Sequence, residues 1–124
     1  HETSIYAKDG KRYPGVGAIM KMIEFATNKN YQVVGKPSKD FYQKAKEMLK
    51  ADSFNDITIV SDDMIGDLLG ANRLGMDTVL VLSGKIKNKD EVIPTLKKSE
   101  HPTLICKDMK EFLEIIKIKL NKGK

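Results

Sequence analysis

The feature that most constrains the fold is an alternation of short apolar runs with longer segments of helical periodicity, from residue 31 onward. Each apolar run is too short for a helix and continuous enough to be buried on both faces of a sheet. Since parallel strands need helical crossovers, the pattern predicts an α/β fold, a Rossmann-like parallel sheet flanked by helices. The predicted strands are residues 33–34, 57–60, 78–82 and 103–106.

The segments between and after these strands each carry apolar residues on one helical face. They predict three helices, of which the second stops at Gly75. The predicted apolar stripes are Phe41, Tyr42, Ala45, Met48 and Leu49; Ile65, Leu68, Leu69 and Asn72; and Met109, Phe112, Leu113, Ile116 and Leu120.

The first thirty residues have a different character. Residues 6–17 hold three glycines and a proline, which predicts turns and loops. A helix follows, ended by the polar residues 28–30, and its predicted buried side comprises Ile19, Met20, Ile23 and Phe25 or Ala26.

Composition excludes several classes of protein. The length of 124 residues suits one ordinary domain, and no apolar run approaches the roughly 18 to 20 residues of a membrane span. The formal charge is +5, but the eleven lysines from Lys85 onward alternate with acidic and apolar residues, which favours solvated faces over nucleic-acid binding. The lone Cys106 lies in an apolar run, which indicates a small buried side chain and fits a cytoplasmic location.

The richest local feature is residues 57–71, where an apolar strand leads into Ser61, Asp62 and Asp63 and then Asp67. Ligands of open parallel sheets bind outside the carboxyl ends of strands, which places Asp62 at that edge. Clustered carboxylates repel one another unless a cation intervenes, and such oxygens suit Mg²⁺. The alternative is purely structural, with Ser61 or Asp62 capping the helix and Asp67 in its first turn.

A second feature surrounds Lys36. Gly35 permits a sharp turn or close approach to a ligand, and Pro37 restricts the backbone before the next helix. Lys36 is thereby held in place, where its ammonium could neutralise a phosphate. A surface lysine is the alternative, but if the strands at 33 and 57 are neighbours, Lys36 and Asp62 face one crevice.

These features together resemble the haloacid dehalogenase superfamily. GKPS before a helix, an apolar strand ending in S-D-x-x-x-x-D, and the later LGM and TVLVLSG are similar to its third and fourth motifs. The closest likeness is to the NagD-like, or 4-nitrophenylphosphatase-like, branch, and it extends from about Tyr13 to the last helix. It implies a remnant of an α/β cap in residues 1–30 and the carboxyl-terminal half of the catalytic core in residues 31–124.

The resemblance also implies roles for individual residues. Lys36 corresponds to the lysine that stabilises an aspartyl-phosphate, and Asp62 to the acid that binds Mg²⁺. Asp67 matches the second acid of the same motif and is expected at the metal site too. Ser61 and Asp63 are candidates for supporting contacts, while Gly35 and Pro37 are expected near the phosphate of a small phosphorylated substrate.

One departure from the family pattern is decisive. The superfamily acts through a D-x-D pair on its first strand, and no two aspartates of this chain are two residues apart. The chain therefore resembles the carboxyl-terminal part of a phosphatase, without the nucleophile, and is expected to be inactive alone. Its expected partner is the missing amino-terminal half or a second copy, as in a homodimer.

Two other functions stay open. The chain could be a catalytically silent module that binds a phosphorylated ligand or a protein. It could also be a receiver-like domain, since acids at one strand end and a lysine at another describe phospho-acceptor domains. The order of the motifs speaks against the receiver-like domain, in which the acids precede the lysine.

Overall fold

The computed structural model describes residues 5–122. A two-stranded hairpin and one helix precede an α/β unit built on a three-stranded sheet. In chain order the elements are β1 Ile5–Lys8, β2 Lys11–Pro14, α1 Val16–Thr27, α2 Lys39–Leu49, β3 Thr58–Ser61, a π-helical turn Met64–Leu68, α3 Leu69–Arg73, β4 Asp77–Val81, β5 Leu104–Cys106 and α4 Met109–Lys122.

The main sheet has the order β3-β4-β5, and both pairs of strands are parallel. The sequence therefore predicted the fold class correctly, together with three of the four strands. β4 is the central strand, and its residues 78–81 are all buried. Leu80 packs on one face of the sheet with Met64 and Leu68, while Val79 and Val81 pack on the other face with Cys106.

The predicted strand at residues 33–34 is not a strand in the structure. Val34 is 69% exposed, and both valines line a groove with Val16 and Met20 of α1 rather than adding to the sheet. Two residues followed by glycine and proline are too few to make a ladder of hydrogen bonds.

The loop predicted for residues 6–17 is also wrong in part, because most of it forms the β1–β2 hairpin. Asp9 and Gly10 both have positive φ angles, 52° and 70°, as the favoured two-residue hairpin turns require. The residues on either side can then pair, and Tyr6 stacks on Tyr13 across the hairpin with ring centroids 5.3 Å apart.

Helix α1 has the predicted position but not the predicted burial. Ile19 and Ile23 are exposed, Phe25 is 93% exposed, and Gly17 is the helix's only buried residue. Most of its apolar side chains are therefore exposed, although Val16 and Met20 line the groove with Val33 and Val34. The described helices include none that is long and apolar enough to cross a membrane.

Strand β3 forms one edge of the sheet and pairs only with β4 among the described residues. Beside it, an open groove of about 250 Å³ runs between β3 and α2. Phe41, Ala45 and Leu49 line the helix side of the groove, and Ile57 and Ile59 line the strand side. The sheet therefore has a free edge that is bordered by apolar side chains.

Candidate functional site

The candidate site lies at the carboxyl end of β3, where Ser61 is the last strand residue and Asp62 and Asp63 follow. Asp63 caps the π-helical turn, since its Oδ1 accepts a hydrogen bond from the Gly66 N–H at 2.8 Å. The carbonyl oxygen of Asp63 accepts from the N–H groups of both Asp67 and Leu68, at 3.1 and 3.2 Å. This wide turn brings Asp67 back toward Ser61.

Lys36 and Asp67 meet directly. The Lys36 ammonium lies 2.7 Å from Asp67 Oδ1, and the Ser61 hydroxyl donates to Asp67 Oδ2 at 2.7 Å. The side chains of Lys36 and Asp67 are 30% and 19% exposed, so an incoming anion can still reach the pair. The structure thus brings together three of the residues that the sequence singled out, although Lys36 lies in a loop and not at a strand end.

A buried tyrosine forms a hydrogen bond with the backbone of Asp67. Tyr42 of α2 is 1% exposed, and its hydroxyl donates to the Asp67 carbonyl oxygen at 2.6 Å. Burial raises the pKa of Tyr42, and the nearby negative charge of Asp67 raises it further. The sequence predicted a core position for Tyr42 but gave no sign of this contact.

The loop that carries Lys36 is held close to α3. A Cβ placed on Gly70 would lie 2.9 Å from Pro37 Cβ and 3.1 Å from the Pro37 carbonyl oxygen. Gly35 closes the turn before α2, because its carbonyl oxygen accepts from the Ser38 N–H at 2.9 Å. The lack of a side chain at Gly70 permits this packing. The expected position of Gly35 and Pro37 near a phosphate stays a prediction.

Lys85 is the site residue that sequence reasoning missed. Its backbone N–H donates to Asp62 Oδ2 at 2.6 Å, and its ammonium lies 2.6 Å from Asp63 Oδ2. Lys85 follows β4 in the segment SGK, and the carboxyl ends of parallel neighbouring strands meet at one edge. That rule applied to the segment after β4 could have predicted the contact.

Asp63 has opposing influences on its charge. Partial burial raises the pKa of its carboxyl group, but the hydrogen bonds from Lys85 and Gly66 and the positive charge of Lys85 outweigh burial. The net effect holds the pKa of Asp63 below its usual range. The Asp63 carboxylate is therefore ionised at neutral pH and can accept hydrogen bonds from both Lys85 and Gly66.

Asp62 is more available than Asp67 as a ligand for a hard cation. Asp62 Oδ1 has no hydrogen-bond or ion-pair partner among residues 5–122, whereas both oxygens of Asp67 are engaged by Lys36 and Ser61. The described residues contain no group of three or more His, Cys, Asp or Glu side chains arranged to hold a metal. Mg²⁺ commonly takes one or two carboxylates and completes its shell with waters or phosphate oxygens, so Asp62 suits it. Direct binding by Asp67 stays a prediction.

Comparison with known proteins agrees with the motifs. A model of the HAD-hydrolase-like family matches residues 33–112. Phospholysine phosphohistidine inorganic pyrophosphate phosphatase from Bos taurus is 38% identical over 82 residues, which cover 66% of this chain and 30% of that protein. Chronophin from Rattus norvegicus is 34% identical over 93 residues, which cover 75% of this chain and 29% of that protein.

Solved structures agree with the fold. The p-nitrophenyl phosphatase from Archaeoglobus fulgidus superposes with a TM-score of 0.75 and 28% sequence identity, covering 92% of this chain and 44% of that one. The chain thus spans about three tenths of the length of the curated relatives it matches and less than half of this structure.

Proposed function

The chain belongs to the HAD-hydrolase-like family of the haloacid dehalogenase superfamily, and from that membership we propose that it serves as the carboxyl-terminal part of a Mg²⁺-dependent phosphatase. The proposed reaction is hydrolysis of a small phosphomonoester through an aspartyl-phosphate. Phosphatases among the relatives support the phosphatase chemistry. The observation that carries the proposal is the contact of Asp67 with both the Lys36 ammonium and the hydroxyl of Ser61, the residue before Asp62.

Each residue has a role in this proposal. The Lys36 ammonium, held by Asp67, would neutralise an oxygen of the incoming phosphate and help to hold the nucleophile. Asp67 and Ser61 keep that ammonium in place, and Gly35 and Pro37 shape the loop around it. Asp62 would bind Mg²⁺, which supplies positive charge to the equatorial phosphate oxygens when it is bound. The nucleophile and the general acid are not among these residues, because the chain has no D-x-D pair.

Mutation of the full-length protein that contains this chain tests the proposal. With p-nitrophenyl phosphate and Mg²⁺, we expect Lys36→Ala and Asp62→Ala each to lower kcat/KM by roughly 100-fold or more, because each removes charge stabilisation of the transition state. Lys110→Ala and Asp52→Ala remove the same side chains from exposed positions with no contact to the site, and should leave kcat/KM unchanged. Activity within a few-fold of wild type in both site variants would refute the assignment.

A silent binding module is the second candidate, and the absence of a D-x-D pair from these 124 residues favours it. The coding sequence before His1 separates the two functions. An open frame that encodes an apolar strand and D-x-D-G-T supports the phosphatase, whereas a nearby start codon supports the module. The module would bind inorganic phosphate and show no turnover.

We also propose that the free edge of β3 takes up a strand, either from an amino-terminal half of the same protein or from a second copy. The apolar groove between β3 and α2 and the exposed face of α1 both support such a partner. Sedimentation of the 124-residue chain should therefore show self-association. A compact monomer at high concentration would contradict this prediction.

A further inference from the structure

Lys85, in the loop after β4, contacts two consecutive acids of the candidate site. Its backbone N–H and its ammonium bind one oxygen each of Asp62 and Asp63, both at 2.6 Å. The two contacts are 23 and 22 residues away in sequence, so they fix the loop after β4 against the loop after β3. A single residue thereby contacts both carboxylates.

The backbone contact requires the glycine that precedes Lys85. A Cβ placed on Gly84 would lie 1.9 Å from Asp62 Oδ2, which is far inside van der Waals contact. Only a residue without a side chain lets the Lys85 N–H reach Asp62 in this way. The contact involves Asp62 Oδ2 and leaves Asp62 Oδ1 without a partner among the described residues.

The side-chain contact extends to the rest of the site. Asp63 is fixed by Lys85 at Oδ2 and by the Gly66 N–H at Oδ1, and its own N–H donates to the Ser61 hydroxyl at 3.1 Å. Ser61 in turn donates to Asp67, which binds Lys36. A continuous series of polar contacts therefore links Lys85 to Lys36.

We propose that Lys85 is a positioning residue, which orients Asp62 for a divalent cation and holds Asp63 as the cap of the turn that presents Asp67. This inference rests on the proposed function, because it concerns the same cation site. The Lys85 side chain is 64% exposed, and an ion pair so exposed contributes little to stability. Loss of the ammonium should therefore affect cation binding far more than folding.

The test is a magnesium titration by calorimetry on the full-length protein, with thermal unfolding of each variant in the absence of metal. Lys85→Met keeps the backbone N–H contact with Asp62 and removes the ammonium that holds the neighbouring Asp63. Loss of a partner that helps to position a metal site typically weakens metal affinity by 10- to 100-fold. We expect Lys85→Met to weaken Mg²⁺ binding by about tenfold with little change in Tm, and Lys85→Arg to restore most of the affinity. Lys87→Met is the matched control, because among residues 5–122 the Lys87 ammonium contacts only the Ser83 carbonyl oxygen, and this variant should bind Mg²⁺ as wild type does.

A second variant tests the backbone contact. Gly84→Ala should weaken Mg²⁺ binding at least as much as Lys85→Met and should speed hydrogen exchange of the amide at residue 85, which loses its acceptor. Mg²⁺ affinity within twofold of wild type in Lys85→Met, or a Lys85→Arg protein as weak as Lys85→Met, would overturn the inference.

The failure of the proposed function gives a different result. In that case the wild-type protein itself shows no Mg²⁺ binding, or the Asp62→Ala protein binds Mg²⁺ as well as wild type. Either result refutes both the proposed function and the inference about Lys85. If the wild-type protein binds Mg²⁺, Asp62→Ala does not and Lys85→Met does, only the inference about Lys85 fails.

Discussion

Replacement of Tyr42 by phenylalanine isolates the contact between the core and the site. The ring is buried and packs edge-on against Phe41 with centroids 5.5 Å apart, so phenylalanine keeps the packing and removes only the hydroxyl. That hydroxyl donates at 2.6 Å to the Asp67 carbonyl oxygen. A net hydrogen bond contributes about 0.5–1.5 kcal/mol, and a part-buried acceptor left without its partner adds to the loss. We expect Tyr42→Phe to lower the free energy of unfolding by about 1–2 kcal/mol.

Urea denaturation followed by circular dichroism measures this change, provided that the slope against urea stays constant. Tyr13→Phe is the matched control, because it is the same chemical change at an exposed ring whose hydroxyl has no hydrogen-bond partner in the described part of the chain. It should change the free energy of unfolding by less than about 0.5 kcal/mol. Equal effects of the two substitutions would refute the proposed contribution of the Tyr42 hydroxyl.

The pH dependence gives an independent check. The pKa of Tyr42 is raised in the folded protein, first by burial and then by Asp67. A raised pKa contributes stability that is fully present below the unfolded value of about 10 and is lost as pH rises through the folded value. The stability difference between wild type and Tyr42→Phe should therefore shrink above about pH 10. A difference that grows in that range would contradict the assignment.

Two further substitutions test other contacts of the site. Gly70→Ala should lower the free energy of unfolding in urea by about 1–2 kcal/mol. Overpacking against Pro37 costs about 1–3 kcal/mol, which exceeds the gain of up to about 1 kcal/mol from replacing a helical glycine. A more stable variant would show that the loop around Pro37 moves at little cost. Asp63→Asn keeps a good cap for the Gly66 N–H but loses the charge that Lys85 binds. Because the folded pKa of Asp63 is lowered, its stabilisation is present above the unfolded value of about 3.9 and is lost as pH falls through the folded value. As pH falls, the free energy of unfolding should therefore decrease more steeply in wild type than in Asp63→Asn. Parallel curves for the two proteins would contradict this.

The sheet was predictable where a run of apolar residues was long enough to be buried on both faces. Residues 78–81 satisfy that condition and form the central strand, whereas Val33 and Val34 do not and lie outside the sheet. The burial of α1 was predicted on the assumption that every amphipathic helix packs on a covering surface. Ile19, Ile23 and Phe25 are exposed, so residues 5–122 provide no surface that buries these three side chains.

The candidate site was predictable where its residues are close in sequence or belong to one motif. Ser61, Asp62, Asp63 and Asp67 lie within seven positions. Lys36 was noted for its place between Gly35 and Pro37, and the family resemblance then gave it a role. Lys85 could not be found by local spacing, because its contacts span more than twenty residues and depend on how two strands pair. Its backbone N–H contact also has no side-chain signature in a sequence.

The wide turn at Met64–Leu68 has a consequence for how this protein can change over time. Since the Asp63 carbonyl accepts from residues four and five positions ahead, the turn holds one residue more than an ordinary helix would. Deleting that extra residue would preserve a helix but rotate Asp67 by about 100° relative to β3. Exchanges at Ile65 should therefore be tolerated far better during evolution than deletions anywhere between Ser61 and Leu68. Insertions should instead be found between Lys85 and the start of β5.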